Sequence, residues 1–152
     1  MLSMRKILVP IDLSPSGKRV LAQAQDFALK FSASIDLLHV WTPPAMLAPE
    51  ALITGVGTTE QPFLEWLGKS AREHLGQFED KVRAEGIAIA RSYCELGDPA
   101  STIVELAASG GYDLLVLGTH GRTGLSHALM GSVAEKVVRR APCAVLTVRT
   151  GD

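Results

Sequence analysis

The chain has 152 residues, of which 47% are hydrophobic and 20% charged, and its net charge is −1. This length predicts one domain over residues 1–152 that buries about 70% of its unfolded surface, and the composition excludes a disordered chain. The near-neutral charge gives no electrostatic reason to expect nucleic-acid binding. Since no apolar run approaches the roughly 20 residues of a membrane span and no signal-peptide core is visible, we expect a cytoplasmic protein without a membrane partner.

The first half of the chain predicts two strands and two helices. Lys6–Ile11 is a short apolar run typical of a strand, and Ser14 followed by Pro15 predicts a helix with a serine N-cap and proline at its first position. Ile35–Trp41 is typical of a second strand. A long amphipathic helix that ends near Gly86 is then indicated by apolar residues spaced three or four apart, namely Leu64, Leu67, Ala71, Leu75, Phe78 and Val82.

The second half continues the alternation. Ile87–Cys94 predicts a third strand, and Asp98 with Pro99 predicts the cap and first turn of a helix that runs to about Ser109. The remaining elements are strands at Asp113–Leu117 and Cys143–Val148, with a helix at Ser132–Arg140 between them. Apolar strands alternating with helices predict a doubly wound parallel sheet with helices on both faces. Ligands of such sheets bind at the carboxyl ends of the strands, where the winding direction reverses.

Two features of the chain leave alternatives open. The proline- and glycine-rich segment Thr42–Glu60 follows the second strand and is either a lid over a ligand site or a spacer without a role. The two cysteines, Cys94 and Cys143, belong to no CxxC pair, which argues against a zinc or redox motif and favours free thiols in a reducing compartment.

The most informative motif is the sequence Gly118-Thr119-His120-Gly121, followed after nine residues by Gly131-Ser132. It joins a buried strand to a helix, and its glycines allow backbone N–H groups to approach a ligand closely. Ser132 and Glu135 fit a capping box, so a helix is expected to begin at Ser132. Its N-terminus is suited to phosphate. The alternative interpretation is a glycine-rich turn that merely connects two elements.

Other side chains at the predicted carboxyl edge are candidates for ligand contacts. Asp12 ends the first strand and either holds a ribose hydroxyl or a divalent metal, or caps the nearby helix. His39 either contacts a base or is a core histidine, and the second interpretation is favoured. His120 and Arg122 either contact phosphate oxygens or are solvated loop residues.

These residues together resemble the universal stress protein family, of the ATP-binding type. The family's phosphate motif G-x2-G-x9-G-(S/T) is present in full as Gly118, Gly121, Gly131 and Ser132. The first strand with its aspartate, the end of the second strand and the closing strand are also similar. They read Ile7-Leu-Val-Pro-Ile-Asp-Leu-Ser14, Leu38-His39-Val40 and Ala141-Pro-Cys-Ala-Val-Leu-Thr-Val148.

The resemblance implies a five-stranded sheet in the order 3-2-1-4-5 that binds ATP with Mg²⁺ or Mn²⁺. By position, Pro10, Ile11 and Asp12 are expected on the adenosine side, with Asp12 near the ribose or metal, and Val40 at the adenine. The residues expected around the phosphates, including the loop itself, are Leu117, Gly118, Thr119, His120, Gly121, Arg122, Gly131, Ser132 and Val133. Family members often carry a hydroxyl at the position of Ala134, so the resemblance implies that one phosphate contact is lost here.

The resemblance also implies a homodimer formed through the last strand, Cys143–Val148, which is an edge strand in this order and largely apolar. The predicted function is a nucleotide-dependent regulatory switch in the stress response that docks protein partners not identified by the sequence. One alternative is a slow ATPase or self-phosphorylating enzyme with Asp12 and His120 as candidate groups. Another is a dimeric interaction module that binds no nucleotide. AMP and cyclic AMP remain open as ligands beside ATP.

Overall fold

A computed structural model describes residues 3–44, 61–121 and 130–150 of the chain. Strands and helices alternate along these residues, as the sequence predicts. In chain order they are β1 (Lys6–Ile11), α1 (Gly17–Phe31), β2 (Ser34–Trp41), α2 (Gln61–Ala84), β3 (Arg91–Leu96), α3 (Pro99–Ser109), β4 (Leu114–Gly118), α4 (Ser132–Arg140) and β5 (Ala144–Val148).

The five strands form one parallel sheet in the order β3-β2-β1-β4-β5, which confirms the predicted doubly wound fold. The winding direction reverses between β1 and β4. Strands β1 and β2 stay paired as far as Ile11 and His39, whereas the pairing of β1 with β4 is confined to Ile7 with Leu114 and Leu8 with Leu115. The two central strands therefore separate toward their carboxyl ends, which opens a crevice at the switch point.

Alternate residues of the strands pack into two hydrophobic cores on opposite faces of the sheet. Ile7 and Val9 of β1 face α1 and α2, where Leu21 and Val82 are fully buried. The intervening residue Leu8 belongs to the other core, together with Leu38 and Leu115 of neighbouring strands and apolar residues of α3 and α4. This period of two is the side-chain alternation of a strand that is buried on both faces.

Helix α1 begins later than the sequence predicts. Its N-cap is Ser16, so the expected cap at Ser14 with Pro15 in the first turn is wrong. The reason lies just before it, because Asp12 Oδ1 accepts a hydrogen bond of 3.0 Å from the Ser14 backbone N–H. Leu13 between them has a φ of 64°, in the left-handed region. This tight turn delays the helix by two residues.

Two other local predictions are also corrected. The third strand is Arg91–Leu96 rather than Ile87–Cys94, because the buried Ile87 and Ile89 pack into the core from the segment that leads into the strand. The predicted capping box is wrong as well. Helix α4 does begin at Ser132, but its N-cap is Gly131, which has extended backbone angles.

The segment Thr42–Glu60 falls largely outside the described residues, so the proposed lid is a prediction that the structure does not address. None of the described helices is both long and apolar enough to cross a membrane. Cys94 and Cys143 are half-buried free thiols, and burial raises the pKa of both.

Candidate functional site

A cavity of about 320 Å³ lies in the crevice between β1 and β4, at the carboxyl ends of the strands. The structure brings together around it every predicted binding residue except Arg122, which lies outside the described residues. These residues are Pro10, Ile11, Asp12, Val40, Leu117, Gly118, Thr119, His120, Gly121, Gly131, Ser132 and Val133.

Sequence reasoning missed a second group of lining residues, which come mainly from the first turns of helices. Ser16, Gly17 and Val20 belong to the start of α1, and Pro99 and Ile103 to the start of α3. Leu38 completes this group, and Ala134, which the resemblance associated with a phosphate contact, also lines the cavity. The sequence did hold a signal for α3, because the Asp98-Pro99 start follows a strand of a parallel sheet and must therefore lie at the same edge as the glycine motif.

The N-termini of three helices, α1, α3 and α4, thus converge on one cavity. In α4 the N–H of Glu135 donates to the carbonyl of Gly131, which leaves the preceding N–H groups without acceptors inside the helix. Each N-terminus also carries a partial positive charge. The described lining contains no lysine or arginine, so the helix N-termini are the features of this lining that are best suited to an anion.

The three motif glycines are required for close packing rather than for an unusual backbone conformation. None of them has a positive φ. A Cβ on Gly118 would lie 3.0 Å from Thr150 Cγ2, and one on Gly131 would lie 3.0 Å from the carbonyl oxygen of Thr119. At Gly121 it would lie only 2.6 Å from Asp12 Oδ2. The glycines therefore let the loop close against the chain around it and leave the cavity open.

Asp12 lies where the carboxyl end of β1 meets this loop. One carboxylate oxygen, Oδ1, accepts the Ser14 N–H, and no described group hydrogen-bonds the buried Oδ2. A buried carboxylate oxygen without a partner costs free energy, so Asp12 Oδ2 is a candidate contact for a ligand or a cation. The expectation that Asp12 faces the crevice agrees with this geometry, although Ser14 does not cap the helix.

The two predicted histidines have different surroundings. His39 is buried, and its Nδ1 lies 3.0 Å from the carbonyl oxygen of Ile11. A carbonyl only accepts, so this nitrogen carries the proton, and the favoured interpretation as a core histidine holds. His120 lines the cavity, and its Nδ1 lies 3.0 Å from Thr119 Oγ1.

Helix α3 begins at the rim of the cavity with a true cap. Asp98 accepts a 3.0 Å hydrogen bond from the Ser101 backbone N–H, and Pro99 occupies the first turn, both as predicted. Hydrogen bonds from Ser101 hold the pKa of the Asp98 carboxyl below its usual range.

The described residues contain no group of three or more side chains suited to a metal ion. Asp12 Oδ2 is an oxygen donor of the kind that Mg²⁺ and Mn²⁺ prefer, and Mg²⁺ is commonly held by one or two carboxylates together with substrate phosphates. The donor set therefore fits a cation that arrives with a phosphate ligand.

The fold and site define a class, the doubly wound α/β domains with an anion-suited crevice at the sheet switch point. Within this class the chain belongs to the universal stress protein family, whose family model matches residues 4–149. A curated relative, universal stress protein MJ0531 of Methanocaldococcus jannaschii, is 33% identical over 145 residues, which are 95% of this chain and 82% of that protein.

Solved structures agree with this assignment. The universal stress protein UspA from Lactobacillus plantarum has a TM-score of 0.78 and 25% identity, and the match covers 98% of this chain and all of that one (100%). A universal stress protein crystallised in complex with cAMP has a TM-score of 0.66 and 25% identity, with 97% of this chain and 98% of that chain covered.

Proposed function

We propose that this protein binds ATP together with Mg²⁺ or Mn²⁺ in the cavity between β1 and β4, and that it acts as a nucleotide-dependent switch in the stress response. The observation that carries the proposal is the buried Asp12 Oδ2, which has no hydrogen-bond partner among the described residues and lies beside the glycine motif and the start of α4. A site for a neutral apolar ligand would need neither the carboxylate nor the convergent helix N-termini.

The cavity lining combines apolar side chains with backbone N–H groups, which suits a nucleotide. Leu38, Val40 and Ile103 give the cavity an apolar lining that suits a base. Ser132 and Val133, in the first turn of α4, add backbone N–H groups that suit phosphate oxygens. That a structural neighbour was crystallised with cAMP supports a nucleotide as the ligand class.

Asp12 is the residue proposed to hold the metal. Two negative groups, the carboxylate and a phosphate, would repel each other in this partly buried space unless a cation lay between them. We therefore expect Mg²⁺ to strengthen ATP binding, and Asp12→Asn to remove that dependence on metal. Asparagine keeps an oxygen for the Ser14 N–H, so the turn itself is retained. Asp26→Asn, on an exposed part of α1, is the matched control.

The proposed switch is a change in order of the glycine-containing loop when the nucleotide binds. A nucleotide that bridges β1, the glycine loop and α4 binds the arrangement that holds these elements together and raises its population. Protein partners then distinguish the nucleotide-bound state from the nucleotide-free state. The cytoplasm is the proposed location. The slow-ATPase alternative is tested on the same preparation by measuring phosphate release above the protein-free background.

We further propose that two copies pair through β5. This strand lies at the edge of the sheet beside β4, and its residues Ala144–Val148 are mostly apolar. An apolar edge strand favours pairing with another strand. Val145→Lys is expected to shift the sedimentation coefficient from dimer to monomer, because a lysine resists burial between two copies. A monomeric parent would overturn the dimer, and a variant that stays dimeric while folded would place the interface elsewhere.

Calorimetric titration of the parent with ATP, AMP and cAMP, each with and without Mg²⁺, tests the central proposal. Saturable ATP binding that Mg²⁺ strengthens supports it. Tighter binding of AMP or cAMP would identify another nucleotide as the ligand. Absence of binding by all three would leave the dimeric interaction module as the surviving interpretation. Mass spectrometry of ligand released from gently purified protein supplies an independent measurement.

A further inference from the structure

We infer that Thr150, which does not line the cavity, is the residue that positions the glycine loop for its ligand. This inference rests on the proposed function, since it concerns the affinity of the same site. Thr150 follows β5, and its side chain and backbone contact the loop segment from Gly118 to His120. We call this segment, with Gly121, the phosphate loop.

The Thr150 hydroxyl makes two hydrogen bonds to one residue of the loop. Its oxygen accepts from the backbone N–H of His120 at 3.0 Å, and it donates to the carbonyl oxygen of His120 at 3.0 Å. A hydroxyl is suited to both roles because it has one donor and two acceptor positions. The Thr150 hydroxyl therefore pairs with both the backbone N–H and the carbonyl of His120, as a neighbouring strand would. This pairing lies beyond the ends of β4 and β5.

Backbone contacts strengthen this attachment. The N–H of Thr150 donates to Thr119 Oγ1 at 3.3 Å, and the N–H of Thr119 donates to the carbonyl of Val148 at 2.9 Å. Thr119 is buried, and its carbonyl oxygen accepts the N–H of Gly131. A continuous chain of hydrogen bonds thus joins the end of β5, the phosphate loop and the start of α4.

The same contact accounts for the first glycine of the motif. A Cβ on Gly118 would lie 3.0 Å from Thr150 Cγ2 and 3.2 Å from its Oγ1. These distances are tighter than ordinary van der Waals contact, so a side chain at Gly118 would push Thr150 away from His120. Gly118 therefore serves the fit between Thr150 and the loop.

Thr150→Val tests the inference because valine keeps the shape and removes the hydroxyl. Thr150→Ser is the rescue variant, which restores the hydroxyl without the methyl group, and Thr147→Val is the matched control on β5. The ligand-free readout is the hydrogen-exchange rate of the His120 amide. The ligand readout is the calorimetric affinity for ATP with Mg²⁺.

Thr150→Val is expected to speed exchange at His120 and to weaken ATP binding on the order of tenfold, the scale of one or two lost hydrogen bonds. Thr150→Ser and Thr147→Val are expected to match the parent in both readouts. Parent-like exchange in Thr150→Val would overturn the attachment. Faster exchange with unchanged ATP affinity would overturn the positioning role. If the parent binds no ATP, the proposed function fails, while the exchange rates still decide whether Thr150 holds the loop.

Discussion

Aspartates at the two ends of the parallel strands, the amino edge and the carboxyl edge of the sheet, differ in their hydrogen bonding. At the amino edge, Asp113 Oδ2 accepts the backbone N–H groups of Arg5 and Lys6 at 2.8 and 3.0 Å. Buried Asp36 accepts a 2.6 Å hydrogen bond from the Tyr112 hydroxyl. At the carboxyl edge, Asp12 uses one oxygen within its own turn and keeps the other buried without a described partner. Satisfied carboxylates hold the fold together, whereas an unsatisfied one beside a cavity is available to a ligand.

The amino edge is closed by further contacts. Lys6 Nζ donates to the carbonyl of Gly110 at 2.6 Å and lies 4.5 Å from the centre of the Tyr112 ring. Burial is the main cause that raises the pKa of Tyr112, and the hydrogen bond to Asp36 is the second. The Tyr112 hydroxyl therefore stays a donor at every ordinary pH. Backbone hydrogen bonds lower the pKa of Asp113, so that carboxyl stays ionised. The polar side chains at the amino edge thus make hydrogen bonds that stabilise the fold.

The largest effect that separates the edges is expected from Gly121→Val. The new side chain meets Asp12 Oδ2 at the position where the loop closes, so it displaces either the carboxylate or the loop. We expect ATP affinity to fall on the order of 100-fold, about 2.7 kcal/mol, while the fold is retained. Calorimetry provides the affinity and circular dichroism the fold.

Gly76→Val is the control for this substitution, because a Cβ at Gly76 on α2 would meet nothing within 4 Å. It should bind ATP as the parent does. Parent-like affinity in Gly121→Val would show that the phosphates lie elsewhere.

Tyr112→Phe is expected to lower stability and to leave ATP affinity unchanged, which is the opposite of Gly121→Val. It removes the hydroxyl that donates to Asp36 and keeps the ring against Lys6. Because Asp36 is buried, the free energy of unfolding should fall by about 1–3 kcal/mol. Urea denaturation measures this loss. ATP affinity should be unchanged, since Tyr112 does not line the cavity, and a loss of affinity at full stability would contradict the division between the edges.

The smallest effect is expected from Asp98→Ala at the cap of α3. Losing the hydrogen bond to the Ser101 N–H should cost about 1 kcal/mol of stability at neutral pH. Because the pKa of Asp98 is lowered in the folded state, its contribution is present above the ordinary pKa of an aspartate, about 4. It is lost as the pH falls through the lowered value.

Denaturation of the parent and Asp98→Ala at several pH values should therefore show a difference that shrinks in acid. Glu105→Ala, an exposed position on the same helix, removes the same charge without a cap and serves as the control. A difference that stays constant down to the lowest pH would mean that the charge of Asp98 does not stabilise the helix.

Most of the fold followed from patterns that act within a few residues. Apolar runs marked β1 and β2, and the Asp98-Pro99 pair marked α3, because burial and capping are read from neighbouring positions. The start of α1 did not follow, because the Asp12 carboxylate accepts the Ser14 N–H in a tight turn that helix propensities do not encode. The start of β3 was misplaced because burial of Ile87 and Ile89 looks alike in a strand and in a packed lead-in segment.

The candidate site shows the same limit. The glycine motif and Asp12 were found from the sequence because they cluster at strand ends, and the resemblance to the family added Val40 and the strand order. Ser16 and Ile103 were missed, because their place beside the cavity depends on how helices pack across the sheet. Thr150 gave no sequence signal at all, since its contact with His120 joins residues 30 positions apart in the chain.

Leu13, directly after Asp12, combines backbone strain with side-chain packing. A leucine with φ of 64° is conformationally costly, on the order of 1–2 kcal/mol, and glycine adopts this region freely. Its side chain nevertheless packs against the core, and its backbone turn fixes Asp12 beside the cavity. During evolution, glycine at this position would relieve backbone strain but give up side-chain anchoring. The packing of the Leu13 side chain therefore offsets backbone strain in the turn that holds Asp12.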